Sequence, residues 1–201
     1  KRVGIIGTGA TSVQVVPEIA KVVKELYVFQ RTPSSIDVRD QRATTQEEIE
    51  EWKKEPGWAL ARRERLATIS SGRTALQGND DFLSGKVKEI KKKKKHLNPI
   101  SPEELIQKQL NSNFRIMEQI RARVDDVVDD PQTAAALKPY YPYGCKRPTF
   151  HDEFLPAFNQ PHVHLVDTAP DGVKKINEKG IVHNGVQYDL DVLIYATGFQ
   201  W

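Results

Sequence analysis

The alternation of apolar and polar positions divides the chain into three stretches of different texture. In the first, Arg2-Val3-Gly4-Ile5-Ile6 is a short apolar run, the pattern of a buried parallel strand. It breaks at Gly7-Thr8-Gly9-Ala10-Thr11-Ser12, and helical spacing follows, with Val13, Val16, Ile19, Ala20 and Val23 on one stripe. Leu26-Tyr27-Val28-Phe29 then reads as a second strand.

The second stretch, residues 36–138, is charge-rich and has few β-branched runs. Thr45 and the acidic turn after it open a helix that runs to Lys54, where Pro56-Gly57 breaks the pattern. Helices are expected over Trp58–Leu76 and Asp81–His96, separated by the turn Gly78-Asn79-Asp80. Ser101-Pro102-Glu103-Glu104 combines an N-cap, a proline at the first helical position and a capping box. The helix it opens should reach Val124 or beyond, with Leu105, Leu110, Phe114, Met117 and Ile120 facing inward. Pro131 to Leu137 adds a short helix.

In the third stretch, residues 139–148 form a loop and His151 to Phe158 a short helix. Val163 to Val166 is a strand, and the runs 173–176, 180–183 and 185–188 suggest a hairpin with an extension. Asp191-Val192-Leu193-Ile194-Tyr195 is a buried parallel strand that ends in Ala196-Thr197-Gly198-Phe199. The fold class is therefore α/β. A Rossmann-like dinucleotide-binding domain, with a parallel sheet and a β-hairpin, is built from residues 1–35 and 139–201. A long all-helical insertion occupies 36–138.

Strand, glycine loop, helix, strand is the opening of a dinucleotide-binding unit. Gly7 permits the tight turn, and Gly9 lets a pyrophosphate approach the backbone. The amides that open the helix face the anion, and the helix dipole favours it. The third position of the motif is Ser12 rather than glycine or alanine, so helix–strand packing must accommodate a hydroxyl. The end of the second strand selects the nucleotide. NAD-binding domains place an acid there for the ribose 2′-hydroxyl. This chain has Gln30-Arg31-Thr32-Pro33 instead. Arg31 offers a planar, permanently charged fork for a 2′-phosphate, and Thr32 a hydroxyl donor. The coenzyme read from these residues is NADP(H); the plain alternative is a solvated surface arginine.

Composition narrows the field. The chain has 201 residues, 28% of them charged, and a formal net charge of +3, too small to require a polyanionic partner. A single cysteine, Cys145, excludes an internal disulfide framework and a CxxC redox pair. No apolar run approaches the ~20 residues of a membrane span, and no signal peptide is recognisable, so a cytoplasmic protein is expected. Lys91 to Lys95 is a run of lysines without interleaved aromatics. It reads as the solvated end of a helix rather than a nucleic-acid site. The histidines show no zinc spacing, and no metal is expected. Lys1 leads directly into a strand and Trp201 follows a strand-end motif, so the chain is expected to be a piece of a larger protein.

Five segments, in order, resemble the NADP-binding domain of the Baeyer–Villiger monooxygenases, class B flavoprotein monooxygenases. They are Gly7-Thr8-Gly9-Ala10-Thr11-Ser12-Val13-Gln14, Val28-Phe29-Gln30-Arg31-Thr32-Pro33, Tyr143-Gly144-Cys145-Lys146-Arg147-Pro148, His162 to Asp167, and Asp191 to Phe199. The departure is Ser12, usually a glycine in the family. The resemblance implies that the segment from Thr8 to Gln14 holds the pyrophosphate and nearby ribose, Ala10 and Thr11 included. It implies that Arg31, Thr32 and Lys146 hold the 2′-phosphate, and that Thr197 and Gly198 also line the cofactor site. Arg147 resembles the family's active-site arginine, also at the cofactor, where a permanent positive charge stabilises a negative oxygen intermediate. Read without the family, Lys146-Arg147 is a basic surface loop.

The resemblance further implies an enzyme that uses NADPH, FAD and O2 to insert one oxygen atom next to a ketone carbonyl, giving an ester or lactone. The FAD-binding domain is absent from these 201 residues, so the isolated chain should bind NADP(H) without oxidising a ketone. Two other readings remain at this point: the equivalent domain of an N- or S-oxidising flavin monooxygenase, and a non-catalytic NADP-binding module.

Overall fold

The structure, a computed structural model, describes residues 1–70 and 101–198. It divides into two compact units, one of Lys1–Arg39 with Glu103–Trp201 and one of Asp40–Pro102. The first carries all the candidate site residues.

This unit begins with β1 (Arg2–Ile6), α1 (Ala10–Ala20) and β2 (Glu25–Gln30). After β3 (Ile36–Asp37) and the other unit come α4 (Pro102–Val127), α5 (Pro131–Leu137), β4 (Thr149–Phe150) and α6 (Phe154–Ala157). Strands β5 (Val163–Asp167), β6 (Lys175–Asn177), β7 (Gly180–His183), β8 (Val186–Asp189) and β9 (Val192–Tyr195) follow. The central sheet has the order β5-β2-β1-β9, with every pair parallel.

Successive residues of a strand point to opposite faces, and this sheet is covered on both. On one face Val3, Ile5, Leu26, Val28 and Val163 pack with Val13, Val16 and Ala20 of α1 and with Leu155 of α6. On the other, Phe29 and Val166 meet Ile181 of the antiparallel sheet β6-β7-β8. The β7–β8 turn is Asn184-Gly185, both at positive φ, 48° and 80°. Asparagine and glycine are the residues that tolerate a two-residue primed turn.

The helical section divides. Met117, Ile120 and Val124 of α4 and Leu137 of α5 are buried, and Val124, Val128, Ala134 and Leu137 join the core beneath the parallel sheet. Residues 103–138, expected within a separate insertion, thus belong to the α/β unit; the separate unit spans 40–102. The inward stripe expected on α4 holds only for its second half. Leu105 and Leu110 are each 47% exposed and Phe114 59%. Apolar spacing identifies a face of a helix, not what covers it.

In the other unit α2 (Gln46–Lys53) starts at Thr45 with a complete capping box to Glu48, and α3 spans Trp58–Ser70. Trp52 stacks on Trp58, and the Arg62 guanidinium lies 4.9 Å from the Trp52 ring centre. The expected continuation of α3 to Leu76, the helix over Asp81–His96, the lysine run Lys91–Lys95 and Phe199 all lie outside the described residues.

Candidate functional site

The glycine loop has the backbone its motif demands. Gly7 sits at φ 102°, and a Cβ there would stand 2.6 Å from the carbonyl oxygen of Ala196. Only glycine fits both the conformation and the approach. Gly9 is different: its φ of −76° suits any residue, and nothing lies within 4 Å of the place a Cβ would take. The space beside Gly9 is therefore open at the start of α1. The helix's bonding begins with the Val13 amide donating to Gly9 O at 3.0 Å. The amides ahead of it, including those of Ala10, Thr11 and Ser12, point out of the helix end. Open space and outward amides fit a pyrophosphate.

The side chains of this loop serve its own shape. Ser12 is fully buried, and its hydroxyl donates to Gly7 O at 2.5 Å. The hydroxyl is thus satisfied inside the turn rather than set against the sheet. Thr8 is buried, and its hydroxyl donates to Thr32 O at 3.0 Å. The exposed Gln14 amide donates to Ala10 O at 2.8 Å, one helical turn back.

Thr8 also ties the loop to the cationic segment. In return for its bond to Thr32, its carbonyl accepts from the Ser34 hydroxyl at 2.5 Å. These two bonds clamp residues 7–9 to 32–34. Arg31 is exposed, and its stem runs past Gly172, whose missing Cβ leaves 3.4 Å to Arg31 Cδ. The segment after β5 is held in turn by Thr168, whose amide and hydroxyl both donate to Gln30 O, at 2.7 and 2.8 Å. Among the described residues, the buried side-chain atoms without a hydrogen-bond partner are Gln30 Oε1 and Ser35 Oγ. They flank Arg31–Ser34 in the chain.

The second cationic segment is tied to residues 33–35. Tyr141 donates its hydroxyl to Pro33 O at 2.9 Å and accepts from the Ser35 amide at 3.0 Å. The Lys146 ammonium stands 5.2 Å from the centre of the Tyr141 ring. The Thr149 amide and hydroxyl both donate to Ser35 O, at 3.0 and 2.8 Å, and β3 pairs with β4. Lys146 is thereby linked, through the Tyr141 side chain, to residues 33–35, which follow Arg31 in the chain. Arg147 follows it, exposed, as is Cys145. At the far edge of the loop, Thr197 Cα lies 3.8 Å from the Cβ position of Gly7, and Gly198 follows at φ 108°. The end of β9 thus abuts the first glycine.

Three residues of α4 brace the Lys146 loop and the β3–β4 pair beside it, and are not apparent from sequence pattern. Asn113 of α4 makes a reciprocal pair with the Tyr143 backbone, donating to its carbonyl at 2.9 Å and accepting from its amide at 2.8 Å. Arg121 Nε donates to Pro139 O at 2.8 Å. Arg123 donates to Ile36 O at 3.0 Å and to His151 O at 3.1 Å, on either side of the β3–β4 pair. Desolvation pulls the half-buried Arg123 guanidinium below its ordinary value, without approaching neutrality. The loop's turn is closed by the Cys145 amide donating to Pro142 O at 3.1 Å, with Gly144 at φ 90°. A type II turn requires that backbone at its third position.

A Baeyer–Villiger monooxygenase of Stachybotrys chlorohalonatus is 46% identical to this chain; the match covers all of the chain and 32% of that protein. The chain is a homologue of one part of the Baeyer–Villiger monooxygenases. Ketocytochalasin monooxygenase of Aspergillus clavatus is 44% identical over 100% of this chain and 32% of its own length. Among solved structures, the polycyclic ketone monooxygenase of the thermophilic fungus Thermothelomyces thermophila superposes with a TM-score of 0.76 at 40% identity. That match covers 99% of this chain and 33% of the other. OTEMO, solved with FAD and NADP, gives a TM-score of 0.67 at 29% identity over 100% of this chain and 38% of that one. No protein-family model matches. The chain spans about a third of the length of the curated relatives it matches. Among the described residues no helix is long and apolar enough to cross a membrane.

Proposed function

We propose that this chain is the NADP(H)-binding part of a Baeyer–Villiger monooxygenase, an enzyme that inserts one atom of O2 beside a ketone carbonyl to give an ester or lactone. The observation that carries the reading is the junction of three segments: the glycine loop, residues 31–35 and the Lys146 loop. Thr8, Ser34 and Tyr141 supply the hydrogen bonds that join them.

Each segment has a separate task. The open space at Gly9 and the first amides of α1 receive the pyrophosphate. Arg31 and Lys146 take the ribose 2′-phosphate, Arg31 as a fork and Lys146 as a point charge, with Thr32 adding a hydroxyl. Thr197 and Gly198 border the first glycine and shape the nucleotide's other flank. Arg147, exposed and next to Lys146, would offer a fixed positive charge to stabilise negative charge that develops at the cofactor. The coenzyme supplies a hydride, and a flavin held outside these residues carries the oxygen chemistry. The protein's share here is selection and orientation of the reductant. OTEMO, solved with both FAD and NADP, supports this pair of cofactors. A cytoplasmic setting, with its reducing conditions, suits a lone exposed Cys145.

The test is the full-length protein that contains this chain. Purified, it should show a flavin absorbance spectrum and consume NADPH faster when a ketone is added. The product should be heavier than the ketone by one oxygen atom. A protein without flavin, or NADPH use that converts no ketone to an ester or lactone, would refute the reading.

A further inference from the structure

We infer that Tyr141 is a positioning residue for coenzyme selection, setting where the Lys146 ammonium stands relative to the strand end that carries Arg31. The inference rests on the NADP(H) reading above and adds to it the device that assembles the 2′-phosphate site.

Tyr141 uses its two ends differently. Its hydroxyl is fixed in the 33–35 segment, donating to Pro33 O at 2.9 Å and accepting from the Ser35 amide at 3.0 Å. Its ring face carries Lys146 Nζ at 5.2 Å from the centroid. A single rigid side chain thus spans two segments more than 100 positions apart in sequence. An ammonium over an aromatic face is held by the ring quadrupole. A free lysine has a flexible four-carbon stem, and ordering it on binding costs affinity. Contact with the ring restricts that stem beforehand.

The ring itself has little freedom. The backbone on both sides is tied to α4, Pro139 O by Arg121 and Tyr143 by the Asn113 pair. Tyr140 meets Tyr141 edge-on at 6.0 Å but is 70% exposed, whereas the bonds to the 33–35 segment come from Tyr141. Burial raises the Tyr141 phenol above its ordinary value, so it keeps the proton it donates to Pro33 throughout the neutral range.

A purely structural tyrosine would pin the loop and affect all ligands alike. A positioning tyrosine acts through Lys146 and affects only the coenzyme that carries the extra phosphate. The two are separated in the full-length protein by titrating NADPH and NADH against wild type, Y141L, Y141F, K146A, R31A and the Y141L/K146A pair. Y141L should weaken NADPH about three- to tenfold, the scale of a lost cation–ring contact plus lost ordering, and leave NADH within about twofold. In the K146A background Y141L should add almost nothing, because the lysine it positions is gone. Y141F keeps the ring and drops both hydrogen bonds. It should weaken NADPH about two- to threefold with NADH unchanged, a readout that remains if Y141L does not fold.

Equal loss of both coenzymes in Y141L, an unchanged NADPH preference in Y141F, or fully additive Y141L and K146A penalties would overturn the role of Tyr141. If R31A and K146A themselves leave the preference unchanged, the NADP(H) reading fails instead, so the two failures are distinguishable.

Discussion

The hydroxyl of Ser12 donates to the carbonyl of Gly7 at 2.5 Å, across the turn that starts the first helix. Ser12 has no exposed surface, so this bond is shielded from water. It turns a departure from the family's usual glycine into a brace for the loop. Ser12→Ala should cost about 1 kcal/mol of stability, the net worth of one shielded hydrogen bond. Urea unfolding of the two proteins measures it. A Ser12→Ala protein as stable as wild type would mean the brace contributes nothing.

The two glycines of the loop should fail in opposite ways. Gly7→Ala demands a positive φ and places a Cβ 2.6 Å from Ala196 O, so it should destabilise by about 2–3 kcal/mol. Gly9→Ala has an ordinary backbone and open space, so the change in stability should stay within about 0.5 kcal/mol. The methyl group does enter the space assigned to the pyrophosphate, and NADPH affinity should fall at least about tenfold. Melting curves and coenzyme titrations on the same pair of variants separate folding from binding. Unimpaired NADPH binding by Gly9→Ala would remove the phosphate from that space.

Asn113 is the strongest test of the helical template. Asn113→Ala deletes both bonds to the Tyr143 backbone. It should cost about 1–2 kcal/mol in stability and weaken NADPH more than NADH, since Lys146 lies just beyond the loosened turn. Equal weakening of the two coenzymes would confine Asn113 to structure.

These residues show what was legible in the sequence. The glycine loop, α1 and β2 were readable because their signals are local: a glycine where φ must be positive, a period of 3.6 or 2. The Thr45 capping box was readable for the same reason. The β3–β4 pair was not, since two-residue strands carry no periodicity, and Ile36 pairs with Thr149 from more than a hundred positions away. Gly185, expected in the strand run 185–188, instead sits in the turn before β8. The division of the helical section was missed because Met117 and Phe114 sit at equivalent spacing on α4, yet one is buried and the other is 59% exposed. Arg31 and Lys146 could each be named from sequence. The tie from Lys146 through Tyr141 to residues 33–35 needed the fold, because those bonds join residues more than a hundred positions apart.

An acid-sensitive contact joins the first and last strands of the sheet. Asp191 accepts from the Arg2 amide at 2.7 Å and from its guanidinium at 3.2 Å. The amide bond, then the side-chain bond, holds this carboxyl below its usual 3.8. A depressed folded-state value means the stabilisation is complete above pH 3.8 and is lost as pH falls through the lower folded value. The stability gap between wild type and Asp191→Asn should therefore be present at neutral pH and shrink in acid. Urea unfolding over a pH series reads the gap, and a gap constant down to about pH 2 would contradict the assignment.

The central claim is that two cationic segments meet to recognise the phosphate distinguishing NADPH from NADH. Calorimetric titration of the full-length protein with both coenzymes, in wild type and Arg31→Ala, tests it most directly. NADPH should bind wild type at least about tenfold more tightly than NADH. Arg31→Ala should weaken NADPH about thirtyfold, near 2 kcal/mol, and leave NADH unchanged. Equal affinity of wild type for the two coenzymes would contradict the claim outright.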